Sequence, residues 1–363
     1  MRIGVDAREL CGRSTGVGRY LGGLLHVWAD DDGARAHEFF IYAPTLPGLP
    51  ASARHFQERL VNGGAGTWWE QVQLPRAIAD DNLDVFFSPA YTAPLRAAVP
   101  VVVAIHDLSF VAHPEWFKPR EGFRRRWLTR QAAKRAAAVV TISQFSRREL
   151  GERLSIPDAA IHVIPPGIEP ATSFSTDPRD EPRVLYAGSI FNRRHVPELV
   201  LAMVELLRTH PDASLDIVGD NRSFPPQDIG GLVAEHGLEH AVRCHDYVPD
   251  DRLRDLYGSA RAFAYLSEYE GLGLPPLEAL SAGVPPVLLD TPVARETCAD
   301  AAAYVSGLAP AAIADTLARV LFDGSVRREI LARAPAVLAR YNWTQAARDT
   351  LAVLEAAGGG RAR

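Results

Sequence analysis

The sequence predicts an α/β chain of two doubly wound, mostly parallel sheets facing each other across a cleft. Three observations predict it. Short apolar runs alternate with longer stretches of helical periodicity, the pattern of strands buried on both faces between covering helices. The alternation stops over residues 165–182, a stretch of Pro, Gly, Ser, Thr and Asp, and then restarts. The length, 363 residues, suits about two domains, each with its own core.

Taken in order, strands are expected at 2–6, 39–43, 83–88, 101–105, 139–143 and 161–164, with helices near 18–29, 69–79, 122–136 and 144–153. After the restart, strands are expected at 184–188, 215–219, 242–245, 262–266 and 287–289, and helices at 193–208, 250–257, 277–282, 311–322 and 326–340. A helix at 344–357 is left over, followed by a Gly-rich tail expected to fray. The expected division is a first domain over 1–168, a linker over 169–182, a second domain over 183–343, and a terminal segment over 344–363.

Composition narrows the function. A hydrophobic content of 47% and a charged content of 23% are those of an ordinary soluble protein. A net charge of −5 argues against a nucleic-acid partner. Cys11, Cys244 and Cys298 are odd in number and scattered, so a reducing compartment is expected and no disulfide framework is implied. Met1 leads straight into a strand and no apolar stretch could span a bilayer, so neither a signal peptide nor a membrane span is expected, and the expected location is cytoplasmic.

The most informative stretch is Ser267-Glu-Tyr-Glu-Gly-Leu-Gly-Leu-Pro-Pro-Leu-Glu-Ala-Leu-Ser-Ala-Gly283. It follows a short buried strand. Gly271 and Gly273 break the regular structure, Pro275 and Pro276 suit a first helical turn, and Gly283 suits the position after a helix end. Strand, glycine loop and helix N-terminus offer backbone N–H groups to an anion or to hydroxyls. Glu270 and Glu278 bracket the loop with seven residues between them, and a carboxylate can accept two hydroxyl hydrogen bonds at once. The stretch reads as a cradle for a sugar nucleotide.

This string resembles the Glu-x7-Glu signature of the retaining family-4 glycosyltransferases, from which it departs at Leu272, where Phe is usual. The resemblance covers nearly the whole chain. It implies the GT-B fold of two Rossmann-like domains, an acceptor domain first and a donor domain second, with the last helix crossing back to the first. The implied reaction moves a sugar from a nucleotide diphosphate to an acceptor hydroxyl with retained configuration, with no metal and no cofactor beyond the sugar-nucleotide co-substrate. The implied roles place Glu278 on the ribose and Glu270 with the backbone of Leu272, Gly273 and Leu274 on the sugar hydroxyls.

Further segments take roles from the same resemblance. Gly16-Val-Gly18 resembles the first glycine loop, whose backbone approaches the donor diphosphate; as a dinucleotide fingerprint it fails, because Leu21 takes the third glycine position. His106 ends the apolar run 101–105 and matches a histidine that touches the transferred sugar. The Trp68 and Ser88–Pro94 segments resemble parts of the acceptor side. Arg193 and Arg194 enter an expected helix, where guanidinium and helix dipole together suit a diphosphate. Arg194 takes the family's lysine position, and Ser189 stands where many members have an arginine. Asp246-Tyr247-Val248-Pro249 resembles a loop beside the nucleotide base. Catalytic roles thus fall on Glu270, His106 and Arg194, and no metal site is expected.

Residues 118–135 hold eight basic residues and one acid, interleaved with Phe123 and Trp127. They read either as a solvated helix face or as a patch for an anionic membrane surface, which would place the protein on the inner face of the membrane. The first donor guess is GDP-mannose, with a deoxysugar nucleotide next, and the acceptor is a saccharide or lipid-linked saccharide of surface-polysaccharide synthesis; the residues leave oligomeric state unassigned. Rival readings are a silent sugar-nucleotide-binding subunit, an NAD-dependent enzyme, and a GT-B epimerase or phosphorylase.

Overall fold

The computed structural model describes residues 1–12, 15–49, 52–169, 181–246 and 248–359. Most of the expected linker, residues 170–180, lies outside the described residues, as do 360–363 of the tail. The chain forms two compact units: Met1–Pro114 with Pro119–Gly167 and Tyr341–Arg363, and Ile168–Arg340 with Glu115–Lys118.

In the first unit the described residues form a seven-stranded parallel sheet, in the order β3-β2-β1-β4-β5-β6-β7. The strands are β1 (Arg2–Asp6), β2 (Glu38–Ala43), β3 (Phe56–Leu60), β4 (Val85–Ser88), β5 (Val101–Ala104), β6 (Ala138–Thr141) and β7 (Ile161–Val163). Its helices are α1 (Gly16–Asp30), α2 (Leu74–Asp80), α3 (Ser109–Ala112), α4 (Pro119–Arg135) and α5 (Gln144–Leu154). Central β1 pairs on both sides, Ile3 with Phe39 and with Val85, and its residues from Ile3 to Asp6 are all buried. Covered faces explain the continuous apolar runs. Strand β3 was not expected: it is an edge strand in which only Phe56 is buried, and Gln57, Glu58 and Arg59 hide it from an apolar pattern. The helix expected over 69–79 is a π turn, Trp69–Gln73, that runs into α2.

The second unit has a six-stranded parallel sheet among the described residues, in the order β10-β9-β8-β11-β12-β13. Its strands are β8 (Arg183–Ala187), β9 (Ser214–Val218), β10 (Val242–His245), β11 (Ala262–Tyr265), β12 (Pro286–Leu289) and β13 (Ala303–Val305). Its helices are α6 (Val196–Thr209), α7 (Ile229–Glu235), α8 (Asp250–Ser259), α9 (Leu274–Ser281), α10 (Pro292–Cys298), α11 (Pro310–Phe322) and α12 (Gly324–Leu338). The short elements α7, α10 and β13 give too few residues for a readable period and were not expected.

The last helix, α13 (Trp343–Gly359), packs in the first unit. A Cβ added to Gly23 or Gly167 would lie 2.6 or 2.2 Å from the Trp343 ring, so both glycines make room for that indole. The Trp28 indole N–H donates to the Ala347 carbonyl at 2.9 Å. Trp28 is fully buried, a contribution of about 1.5–3 kcal/mol for a large apolar side chain, and its indole bond helps hold the terminal helix in place.

Candidate active site

In the second unit the site grows from the loop between β11 and α9. All four residues of β11 are buried. Gly273 precedes α9 at φ +96, Pro275 and Pro276 stand in its first turn, and Gly283 follows its end at φ +68. These are the conformations that glycine accepts without strain and that proline tolerates.

The loop aims Glu270 at one arginine and two hydroxyls. Its Oε1 accepts from Arg194 Nε at 2.8 Å, Tyr265 O–H at 2.8 Å and Ser267 O–H at 3.0 Å. Burial pushes the carboxyl up, but the Arg194 and Arg193 charges and the hydrogen bonds outweigh it and hold Glu270 below the usual carboxylate range. Glu270 therefore stays ionised, and Oε2 receives no bond from the described residues. Thr297 Oγ1 fixes the loop from behind by donating to the Leu272 carbonyl. Glu270, Leu272, Gly273, Thr291, Ala294 and Thr297 line a small pocket there.

Arg193 and Arg194 do not enter a helix as expected. They lie in a 3-10 turn, Asn192–Arg194, and α6 starts at Val196 after His195, which takes the left-handed conformation at φ +51. The turn gives the two guanidiniums different surroundings. Arg194 donates to Glu270 and, through Nη1, to the Ser189 carbonyl at 2.6 Å, and its guanidinium lies 5.0 Å over the Tyr265 ring. Arg193 lies 4.3 Å over Phe191 and makes no ion pair among the described residues; its Nε is buried without a partner. The Arg193 carbonyl accepts the Glu268 N–H at 2.9 Å, which ties the turn to the glutamate loop. Gly188 and Gly219 permit this close approach: a Cβ on Gly219 would lie 2.2 Å from the Gly188 carbonyl, and one on Gly188 3.0 Å from Arg194 Nη1.

Glu278 stands on α9 and accepts from Tyr257 O–H at 3.4 Å. Tyr186, Tyr265, Phe263 and Tyr257 form a column of near-parallel rings with centroids 5.9, 6.0 and 5.8 Å apart. Tyr265 in that column bonds Glu270 and Tyr257 bonds Glu278, so one aromatic stack sets the spacing of both glutamates. Leu272 is buried, and Leu274 is the first residue of α9. Val248 lies in the loop between β10 and α8, and Tyr247 lies outside the described residues.

In the first unit, Thr15 caps α1 by accepting the Gly18 N–H at 2.9 Å. Gly18 is needed there, since a Cβ would lie 2.6 Å from the Glu9 carbonyl, whereas a Cβ on Gly16 would meet nothing within 4 Å. His106, just past β5, is buried between the edges of the Tyr20 and Tyr91 rings at 4.7 and 5.5 Å. Its Nε2 lies 2.8 Å from the Pro89 carbonyl, which can only accept, so Nε2 carries the proton and Nδ1 the lone pair. Burial lowers its pKa below the usual 6.5 and keeps the ring neutral. Nearby, buried Arg8 pairs with Asp6 at 3.1 Å and with Glu70, and burial raises the Asp6 carboxyl to about 6.

Sequence reasoning missed Tyr265, Ser267, Tyr257, Tyr91 and the Arg8 network. Ser267 lies inside the glycine-loop string and Tyr91 inside the Ser88–Pro94 segment, so both had a local signal but no assigned role.

Comparison with known proteins gives the class to which this fold and this carboxylate–arginine cluster belong, the nucleotide-sugar transferases. The Glycosyl transferases group 1 profile matches residues 170–336, and the Glycosyltransferase Family 4 profile matches residues 14–172. The O-antigen chain mannosyltransferase B of Escherichia coli is 28% identical over 292 residues, 76% of this chain and 75% of that protein. A D-inositol 3-phosphate glycosyltransferase of Acidothermus cellulolyticus is 30% identical over 284 residues, 71% of this chain but 62% of that protein. Sucrose-phosphate synthase from Thermosynechococcus elongatus shares the fold, with a TM-score of 0.76, 18% identity and 99% of both chains covered. The chain belongs to the family-4, group 1 glycosyltransferases of GT-B fold. It is accordingly a retaining, metal-independent hexosyltransferase that uses a nucleotide-sugar donor.

Proposed function

We propose that this enzyme moves mannose from GDP-mannose to a hydroxyl of a lipid-linked saccharide in the synthesis of a surface polysaccharide. Likeness to the E. coli O-antigen mannosyltransferase supports the sugar and the acceptor class. The observation that carries the chemistry is the pairing of an ionised Glu270, open at Oε2, with Arg193, a neighbouring cation that has no ion partner among the described residues. Glu270 Oε2 and the backbone of Leu272, Gly273 and Leu274 take the sugar hydroxyls, and Glu278 takes the ribose. Gly16 and Gly18 let backbone approach the diphosphate, and Tyr247 and Val248 flank the base. His106, neutral and protonated on Nε2, accepts a sugar hydroxyl at Nδ1.

The bond from the anomeric carbon to the diphosphate breaks as Arg193 and Arg194 take up the leaving charge. The acceptor oxygen bonds to the same face of that carbon, and its proton passes to the departing phosphate oxygen. Preorganised cations of this kind contribute several kcal/mol to such a step. The enzyme works on the inner face of the membrane, with α4 against anionic lipid.

A thermal-shift panel of sugar nucleotides tests the donor. At a hundred times its dissociation constant a ligand bound only by the folded state adds about 2.7 kcal/mol. GDP-mannose is expected to shift the transition and to lose its mannose to polyprenyl-linked saccharides. A shift by UDP-glucose with none by GDP-mannose would sink the donor assignment.

A further inference from the structure

The loop that follows β4 holds a backbone conformation at odds with its residue. Tyr91 has φ +66, a region that bulky side chains avoid. The Thr92 N–H closes on the Ala90 carbonyl at 2.7 Å, so Tyr91 is the centre of a three-residue turn of the rarer, strained hand. Such strain persists only where the surroundings over-determine it. Here they do so from both sides. The Tyr91 hydroxyl donates to Asp107 Oδ2 at 2.7 Å, and Asp107 Oδ1 is itself fixed by the Ser109 N–H at 2.8 Å. On the other side Thr92 donates to Glu70, which pairs with Arg8 inside the protein. The Arg125 guanidinium lies 4.5 Å over the Tyr91 ring.

The chain from Pro89 to Tyr91, which leads into that turn, touches one functional candidate twice. Pro89, two residues earlier, accepts the His106 Nε2–H, and the Tyr91 ring stands edge-on to the imidazole at 5.5 Å. A relaxed backbone at residue 91 would carry that ring away from His106. We infer that Tyr91 is a positioning residue: its strained turn, held by Asp107 and by the Thr92–Glu70–Arg8 network, clamps the His106 ring so that Nδ1 faces outward in one tautomer. This inference rests on the proposed role of His106 for its effect on transfer, and on geometry alone for its effect on the ring.

Two readouts separate these. In wild-type protein, nitrogen NMR of His106 is expected to show one tautomer, protonated on Nε2. Tyr91→Gly removes the ring with its contacts to Asp107, Phe110 and Arg125 but also relieves the backbone strain, so it is expected to melt at a lower temperature yet still fold, while the His106 signals average between tautomers. Turnover of GDP-mannose, or of UDP-glucose if that is the donor used, is expected to fall about tenfold to a hundredfold in kcat with KM changed less than threefold. Tyr91→Phe keeps the ring but loses the hold of Asp107, and is expected to fall between wild type and the ring-less variants in both spectrum and turnover. Tyr91→Asn, which also tolerates the left-handed region, serves as the second ring-less variant. An unchanged His106 spectrum in the Gly and Asn variants overturns the inference. A changed spectrum with wild-type kcat upholds the clamp and removes His106 from the proposed mechanism.

Discussion

Glu270 keeps its charge against the pull of burial because Arg194, ionised at any working pH, lies beside it. Their side chains are 15% and 11% exposed, so solvent does little to screen the 2.8 Å contact. Removing either partner leaves a largely buried charge without its counter-ion, which costs about 3 kcal/mol when burial is complete and about 2 kcal/mol here. Glu270→Ala and Arg194→Ala are therefore each expected to lower unfolding stability by about 2 kcal/mol while still folding, with the double variant losing clearly less than the sum. Both are expected to lose transfer about a hundredfold or more. Arg193→Ala should behave differently, losing turnover on a similar scale with an unchanged urea midpoint, because that guanidinium has no ion pair among the described residues. Urea titrations beside donor turnover check all three, and a strictly additive cycle or a fully active Arg193→Ala would refute this division of labour. At this scale the sequence showed which residues have chemistry to offer, since the Glu-x7-Glu string and the arginine pair are local. It did not show that Arg194 meets Glu270, because 76 positions separate them and the meeting depends on β8 and β11 lying side by side.

Among the elements, the turn before α6 departs most from its sequence signal. An Arg-Arg-His run before Val196 looks like a helix start, but His195 in the left-handed region breaks it and turns its imidazole between two carboxylates. Nδ1 lies 3.4 Å from Glu198 Oε1, on α6, and Nε2 lies 3.5 Å from Glu268 Oε2, in the glutamate loop. Burial pulls the imidazole pKa down, but Glu198 first and Glu268 second more than offset it, so the folded value lies above 6.5. Protonation is thus easier in the folded than in the unfolded chain. The stabilisation is complete below pH 6.5 and fades as pH rises through the raised folded value. His195→Asn keeps a residue that tolerates this backbone and removes the charge. Wild-type protein is expected to lose melting temperature as pH rises above 6.5, and the variant to lose less; parallel curves would count against a charged His195 between the two carboxylates. The buried strands and long helices were legible because covered parallel strands must be apolar throughout. Edge strand β3, with Gln57, Glu58 and Arg59, and the seven-residue helices α7 and α10 were not, because tertiary pairing rather than local pattern defines them.

For the molecule as a whole, the question is where its charge lies. The net charge is −5, yet α4 carries Arg120, Arg124, Arg130 and Lys134 exposed and without ion partners among the described residues. Phe123 and Trp127, 66% and 50% exposed, stand one turn apart among them, while Gly122, Leu128, Thr129, Ala132 and Ala133 are buried on the opposite face. Arg125 and Arg126 are already engaged with the first unit, over the Tyr91 ring and on the Phe110 carbonyl. Among the described residues no helix is long and apolar enough to cross a membrane. Each free cation near an anionic leaflet contributes about 1 kcal/mol, and four give about 4 kcal/mol before the two aromatic rings are counted. That is roughly a thousandfold in partitioning, and salt screens it within about 10 Å at 0.1 M. The protein is therefore expected to sediment with phosphatidylglycerol vesicles at low salt, to be released by about 0.5 M salt, and to ignore neutral vesicles. Phe123→Ser with Trp127→Ser should weaken binding at every salt concentration, whereas Arg124→Gln with Arg130→Gln should also flatten the salt dependence. Equal recovery with neutral and anionic vesicles at low salt would show that α4 is only a solvated face.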